Sequence, residues 1–243
     1  SAPDGHTVVM AVPNSHTIGP HLMKLSYDVQ TDFAPLIHLA TTPGVLLVHP
    51  SVPAKNVKEL IALAKARPGE LTYGSSGIGG FGQMCAELFA VTANIKMTHV
   101  PYKGSAPSLM DLMGGHIQIL FNSALPTMQH IKSGKMRALA TTGAKRMGIL
   151  PDIPTVAEGG LPGYENSTWS ALGMAARTPP PIVDRLNKEI NTILQLPEVQ
   201  EIARADGSLI TGGTPEQFRD ILRSELAKFG KLVKQAGIKS DGS

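Results

Sequence analysis

Scarcity bounds this 243-residue chain before any motif is read: it has one cysteine, one tryptophan, 5% aromatic residues and 17% charged residues. A lone Cys85 cannot form an internal disulfide, so cysteine usage leaves the redox compartment open. It sits in an apolar helical stretch and reads as a small buried hydrophobe rather than a nucleophile. Apolar runs such as Gly44 to Val48 are too short to span a bilayer, and no direct membrane insertion is expected. The opening residues show no basic segment followed by an apolar one, so no signal peptide is visible in this chain. No block of like charge exceeds two residues, and basic residues are not interleaved with aromatics, which argues against a nucleic-acid partner. His6, His16, His21, His38, His49, His99, His116 and His130 are scattered, without an H-E-x-x-H pair or a cysteine partner, so no metal is expected. A P-loop is missing too. No cofactor is implied.

The residues present describe a globular chain. Hydrophobic content of 42% and this length suit one large domain or two small ones. Residues 7–12 read as a buried strand, 35–41 and 45–49 as two more, and Asn56 to Ala66 as a helix stopped by Pro68-Gly69. A regular alternation follows: strand 71–75, helix 81–92, strand 96–100, helix 105–113, strand 117–121, helix 124–133 and strand 137–141. Such βα units imply a parallel sheet covered on both faces. Residues 147–167 read as an extended connection, 168–175 as a strand, and the chain beyond Pro179 as mostly helical. The last helix is marked by Thr214 as N-cap, Pro215 in the first turn, Gln217 completing a capping box, and Gly237 as the stop. Neither 1–44 nor 166–243 can close a core alone. They are expected to form one lobe together, with 45–165 as the second. The chain would cross between lobes twice, making a cleft that can hinge shut on a ligand.

The most informative stretch is Leu71 to Leu88, a strand, a loop of small residues and a helix. Gly77, Gly79 and Gly82 match the dinucleotide pattern G-x-G-x-x-G. The following strand, Lys96 to Val100, carries no carboxylate for a ribose, which weighs against that reading. Ser75 and Ser76 lack the flanking glycines of a nucleophile elbow, and read as anion donors or loop caps. The backbone N–H groups of Gly77, Gly79 and Gly80, with both hydroxyls, are expected to hold a small anion at a helix N-terminus. Ser15, His16 and Thr17 follow a strand and read either as crevice residues or as a plain surface turn. Asn122 and Ser123 end another strand. Thr168 and Trp169 lie at the second crossing, where Trp169 is either a cleft wall or core packing. Asn166-Ser167-Thr168 also satisfies the glycosylation sequon, weakly.

Several runs carry a family likeness: Ala2-Pro3-Asp4-Gly5-His6-Thr7, Asp32-Phe33-Ala34-Pro35, Val57-Lys58-Glu59-Leu60, His99-Val100-Pro101-Tyr102-Lys103-Gly104, Ile131-Lys132-Ser133-Gly134-Lys135 and Leu150 to Glu158 (LPDIPTVAE). In that order they resemble the Bug family, the periplasmic solute receptors of tripartite tricarboxylate transporters. The resemblance covers essentially the whole chain. It implies a type II periplasmic-binding-protein fold, two α/β lobes joined by two crossover strands. It also implies capture of a small organic carboxylate without catalysis, periplasmic location, and delivery to membrane permease subunits. Ligand-lining positions of the family fall on Ser15, His16 and Thr17, on Ser75 through Phe81, on Asn122 and Ser123, and on Thr168 and Trp169. Two departures stand out. Relatives place a strand, a Gly-rich loop, a helix and a second strand ahead of the Ala2-Gly5 turn, so an N-terminally truncated receptor is expected. Asn122 stands where many relatives carry Asp, which favours a simple organic acid over an amino acid. The rival expectations are a nucleotide-dependent α/β enzyme using the Gly77–Gly82 loop, and a truncated remnant that binds nothing.

Overall fold

The computed structural model describes residues 2–239, with strands and helices from Val9 to Ala236 that alternate regularly between Phe33 and Thr141. The expected lobe ends at residues 1 and 240–243 lie outside the described residues. In chain order the elements are β1 (Val9–Ala11), a π-helical turn (Asn14–Ile18), α1 (Gly19–Leu22), β2 (Phe33–Val48), α2 (Val57–Ala66), β3 (Thr72–Ser75), α3 (Phe81–Ala93), β4 (Thr98–Pro101) and α4 (Ser105–Met113). Then come β5 (Ile119–Ser123), a 3-10 turn (Leu125–Thr127), α5 (Met128–Lys132), β6 (Arg137–Thr141), β7 (Ser167–Ala175), α6 (Pro180–Leu194), α7 (Pro197–Asp206), β8 (Leu209–Ile210) and α8 (Pro215–Ala236). The described residues divide into two compact units, 2–41 with 168–239, and 42–167.

The unit of residues 42–167 is built on the order β6-β2-β5-β3-β4. β3 runs parallel to both β4 and β5, whereas β2 is antiparallel to β5 and β6. The sheet is therefore mixed, a correction to the all-parallel expectation. Side-chain alternation sorts the core: Leu46, Val48, Ile119 and Phe121 pack under α2 and α3, while Val45, Leu47 and Leu120 pack with Leu109 and Leu112 of α4. Both faces are covered. α2 begins where the Asn56 side chain accepts from the Glu59 N–H (2.9 Å), which is worth about 1 kcal/mol as an N-cap. The connection 147–167 contributes to the core, with Val156, Leu161 and Tyr164 buried and the Tyr164 hydroxyl donating to the Cys85 carbonyl (3.0 Å). Asn166 is buried as well and donates to the Cys85 Sγ (3.2 Å). A glycosylation acceptor must be exposed, and this one is not.

In the other unit β7 lies between β1 and the first part of β2, which also pairs with β8. β1 is an edge strand, and Val8, Val9 and Met10 are exposed rather than buried as their apolar run suggested. Trp169, Phe218, Ala11, Ala171 and Leu222 form one cluster, and Leu36, Ile37, Met174 and Leu194 pack with α6 in another. α8 carries the full capping box: Gln217 N–H meets the Thr214 hydroxyl, and the Gln217 side chain accepts from Thr214 N–H. The two strands expected at 35–41 and 45–49 are one. Pro43 falls between two ladders, since pairing with β8 ends at Thr41 and pairing with β5 starts at Gly44.

Candidate functional site

β3 and β5 are parallel neighbours, so their C-terminal ends lie on one edge of the 42–167 unit. The helices α3 and α4 begin at the same edge, after β3 and β4. A cavity of about 190 Å³ opens there, lined by Ser76, Phe81, Gly82, Ser105, Ser108, Leu120, Phe121, Asn122 and Ser123. No charged side chain lines it. Ser76, Phe81, Asn122 and Ser123 were singled out in the sequence, and the fold brings these four together. Gly82, Ser105, Ser108, Leu120 and Phe121 were missed. Gly104-Ser105 opening a helix just after β4 was the available signal, since polar residues past a parallel strand end face the ligand edge.

The loop that leads into α3 is wired differently from the sequence expectation. Gly77 N–H donates to the Ser75 hydroxyl (3.2 Å), Gly79 N–H to the Gln83 side-chain oxygen (2.8 Å), and Gly80 N–H to the Gly77 carbonyl (3.1 Å). The Ser75 hydroxyl is buried and lies 2.7 Å from His99 Nε2. The three amides and one hydroxyl assigned to an anion are thus already satisfied inside the protein. The physical reason is local: Gln83, one turn into α3, reaches back over the loop. The donors left over are one step further on. Gly80 is the N-cap of α3 and provides no side-chain cap, and no acceptor among the described residues meets the Phe81 or Gly82 N–H. These are first-turn amides at the positive end of a helix.

The glycine pattern itself has a backbone explanation. Gly77 (φ 129°) and Gly79 (φ 73°) lie at positive φ, where an L side chain is strained. A Cβ at Gly82 would stand 2.6 Å from the Phe121 carbonyl oxygen, so its absence lets α3 press against β5. These roles require glycine without any nucleotide.

Asn122 is 91% buried at the cavity, its relative exposure being 9%. Its Oδ1 accepts the Ser123 N–H at 2.8 Å, which only an oxygen can do. The amide nitrogen therefore turns the other way, as a donor without a partner among the described residues. With the Phe81 and Gly82 amides and the Ser76, Ser105 and Ser123 hydroxyls, it makes the cavity rich in donors and free of fixed negative charge, while the Ser108 hydroxyl donates to the Ser105 carbonyl (2.8 Å).

The remaining candidates lie in the other unit. The Ser15 hydroxyl contacts His16 Nδ1 (2.8 Å), and the Thr17 hydroxyl donates to the Pro13 carbonyl (3.2 Å), both within the π-helical turn. His16 is buried against Phe33, ring centroids 4.7 Å apart, and burial lowers its pKa. The turn is not the plain surface turn of one sequence reading. Trp169 packs edge-on against Phe218 (5.6 Å) and His38 (5.9 Å), within the core of its unit. Thr168 precedes it on β7, half-buried. Among the described residues, no cluster of three metal-ligating side chains occurs, and no helix is long and apolar enough to cross a membrane.

Comparison with known proteins gives a consistent picture. Residues 1–238 match the model of the tripartite tricarboxylate transporter family receptor. The Bordetella pertussis protein BugT is 33% identical over 241 residues, 98% of this chain and 74% of that one. An R. palustris protein solved with adipate superposes with a TM-score of 0.86 at 36% identity, covering 99% of this chain and 81% of that one. MatC from Rhodopseudomonas palustris, solved with bound malate, gives 0.80 at 26% identity, over 96% and 81% of the two chains.

Proposed function

Because the chain belongs to the tripartite tricarboxylate transporter receptor family, we propose that it is a periplasmic solute receptor that captures a small organic carboxylate and hands it to membrane permease subunits. The family is one of receptors rather than enzymes, and binding without turnover is the reading adopted here. The relatives solved with adipate and malate point to dicarboxylates as the first compounds to try.

One observation carries the assignment to the 42–167 unit: the cavity offers hydrogen-bond donors and no fixed charge of either sign. A carboxylate accepts at both oxygens and benefits from the α3 N-terminus. An ammonium group would find there no carboxylate to balance it. The Asn122 side chain sets this preference, because its oxygen is held by Ser123 N–H and its nitrogen is left for the ligand. The apolar walls, Phe81, Leu120 and Phe121, suit a short methylene chain.

Calorimetric titration with adipate, malate and glutamate tests the proposal. The two hydroxy- or unsubstituted diacids bind, and glutamate binds more weakly. Asn122→Asp replaces the cavity-facing N–H2 with a carboxylate oxygen and lowers diacid affinity by about a hundredfold, since like charges brought together cost several kcal/mol. Tighter binding of glutamate than of either diacid refutes the reading.

A further inference from the structure

The loop behind the cavity is closed by one directional chain of hydrogen bonds that runs through His99. Gly79 N–H occupies the Gln83 Oε1 (2.8 Å), so the Gln83 Nε2 must face the other way, where it meets His99 Nδ1 at 3.3 Å. A side-chain N–H2 can only donate, which makes Nδ1 an acceptor and puts the ring proton on Nε2. That N–H then donates to the Ser75 oxygen (2.7 Å), and the Ser75 hydroxyl donates to the Gly77 carbonyl (3.1 Å) while accepting the Gly77 N–H (3.2 Å). The ring is held flat by Tyr73, stacked at 4.8 Å and 19°. Every donor and acceptor fits in one arrangement only, and in it His99 is neutral.

We propose that His99 is the positioning residue of the loop that leads into α3, locking Ser75 to Gly79 when neutral and releasing them when it takes up a proton. This rests on the proposed function for its link to ligand. A proton on Nδ1 would set N–H against N–H2. Gln83 would then have to turn its oxygen to the ring, and Gly79 N–H would lose its acceptor in a buried place. An unpaired buried amide costs more than a lost bond at the surface, so the loop opens instead. The titratable groups packed on His99 are Tyr73 from β3 and, through the Tyr73 hydroxyl, Glu87 from α3. Burial lowers the His99 pKa and raises those of Tyr73 and Glu87, each toward its neutral form. Ser76 lies within the locked segment, and the first turn of α3 follows it after Gly80. Their placement at the cavity therefore depends on a side chain that does not line it.

The test uses the ligand-free protein first. Amide hydrogen exchange and nitrogen–proton NMR follow Gly79 between about pH 7.5 and about pH 5, with exchange corrected for its intrinsic pH dependence. Gly79 protection is expected to fall by about tenfold in step with the His99 ring titration. His99→Gln, which can still donate to Ser75 and accept from Gln83, stays protected across the range. His99→Phe keeps the stack on Tyr73 and is unprotected throughout. Adipate affinity, measured in parallel, follows the same pattern. A Gly79 amide indifferent to the His99 charge overturns the proposal, and so does an adipate affinity that ignores the Gly79 change. Failure of the wild type to bind any diacid at about pH 7.5 refutes the receptor function instead, while Gly79 still decides the lock.

Discussion

Two histidines, one in each unit, show opposite ways of housing a polar ring. His99 has both nitrogens engaged, by Ser75 and Gln83, in a chain that ties a loop. His38 is 4% exposed, stacked on Phe218 and edged by Trp169, and neither nitrogen finds a partner among the described residues. The Trp169 Nε1 beside it is equally unpaired. The difference teaches where each unit can be moved. Around His99 the polar groups are satisfied and specify one arrangement, so the surroundings respond to a proton by rearranging. Around His38 there is nothing to rearrange, and a proton there is simply unfavourable, holding its pKa down to about 4.

The sharpest break of this contrast is in the two aromatic cores. Phe218→Ala and Phe89→Ala should each destabilise by about 3–5 kcal/mol in chemical denaturation. Only Phe218→Ala removes the face stacked on His38, so only there should the His38 ring titrate closer to the ordinary histidine range by NMR. Equal shifts in both variants would erase the distinction.

Acid stability comes next. His38 binds a proton in the unfolded chain near pH 6.5 and in the folded one only near 4. Unfolding is therefore favoured as pH falls through that window. The stability lost is on the order of 3 kcal/mol between the two values. Urea unfolding at several pH values should show this slope in the wild type and most of it removed in His38→Leu. His16 and His99 shift in the same direction and leave a residue of slope. An unchanged slope in His38→Leu would move the acid sensitivity elsewhere.

Smaller effects separate crowding from capping. A Cβ at Gly173 would fall 1.9 Å from the Phe33 ring, which itself packs on His16. Gly173→Ala should cost about 1–3 kcal/mol by displacing Phe33. Thr214→Ala should cost about 1 kcal/mol through loss of the α8 cap. Thermal denaturation of the two variants orders them.

Much of the fold was legible because its punctuation is chemical. Asn56, Thr214, Pro68-Gly69 and Gly237 mark helix ends, and each does so in the structure or within a residue or two of it. The α/β alternation came from the spacing of apolar residues. Misreadings arose where a local signal meets a distant partner. Pro43-Gly44 looks like a break, yet the strand continues because its neighbours change there. Val8, Val9 and Met10 look buried, yet no sequence shows which strand will stand at an edge. In the candidate site, the glycine loop was visible and its free amides were not. Gln83 lies four residues after Gly79, a helical turn away, and its capture of that amide depends on a rotamer that spacing alone does not give. Ser105 and Ser108 join the cavity through the parallel pairing of β3 with β4, a long-range fact.

Nitrogen–proton NMR during titration with adipate addresses the central claim most directly. Binding should move the Phe81 and Gly82 amides and the Asn122 side-chain N–H2 most, and leave the Gly77, Gly79 and Gly80 amides, already bonded within the loop, nearly in place. Saturable binding that shifts the three glycines and spares Phe81, Gly82 and Asn122 would contradict it.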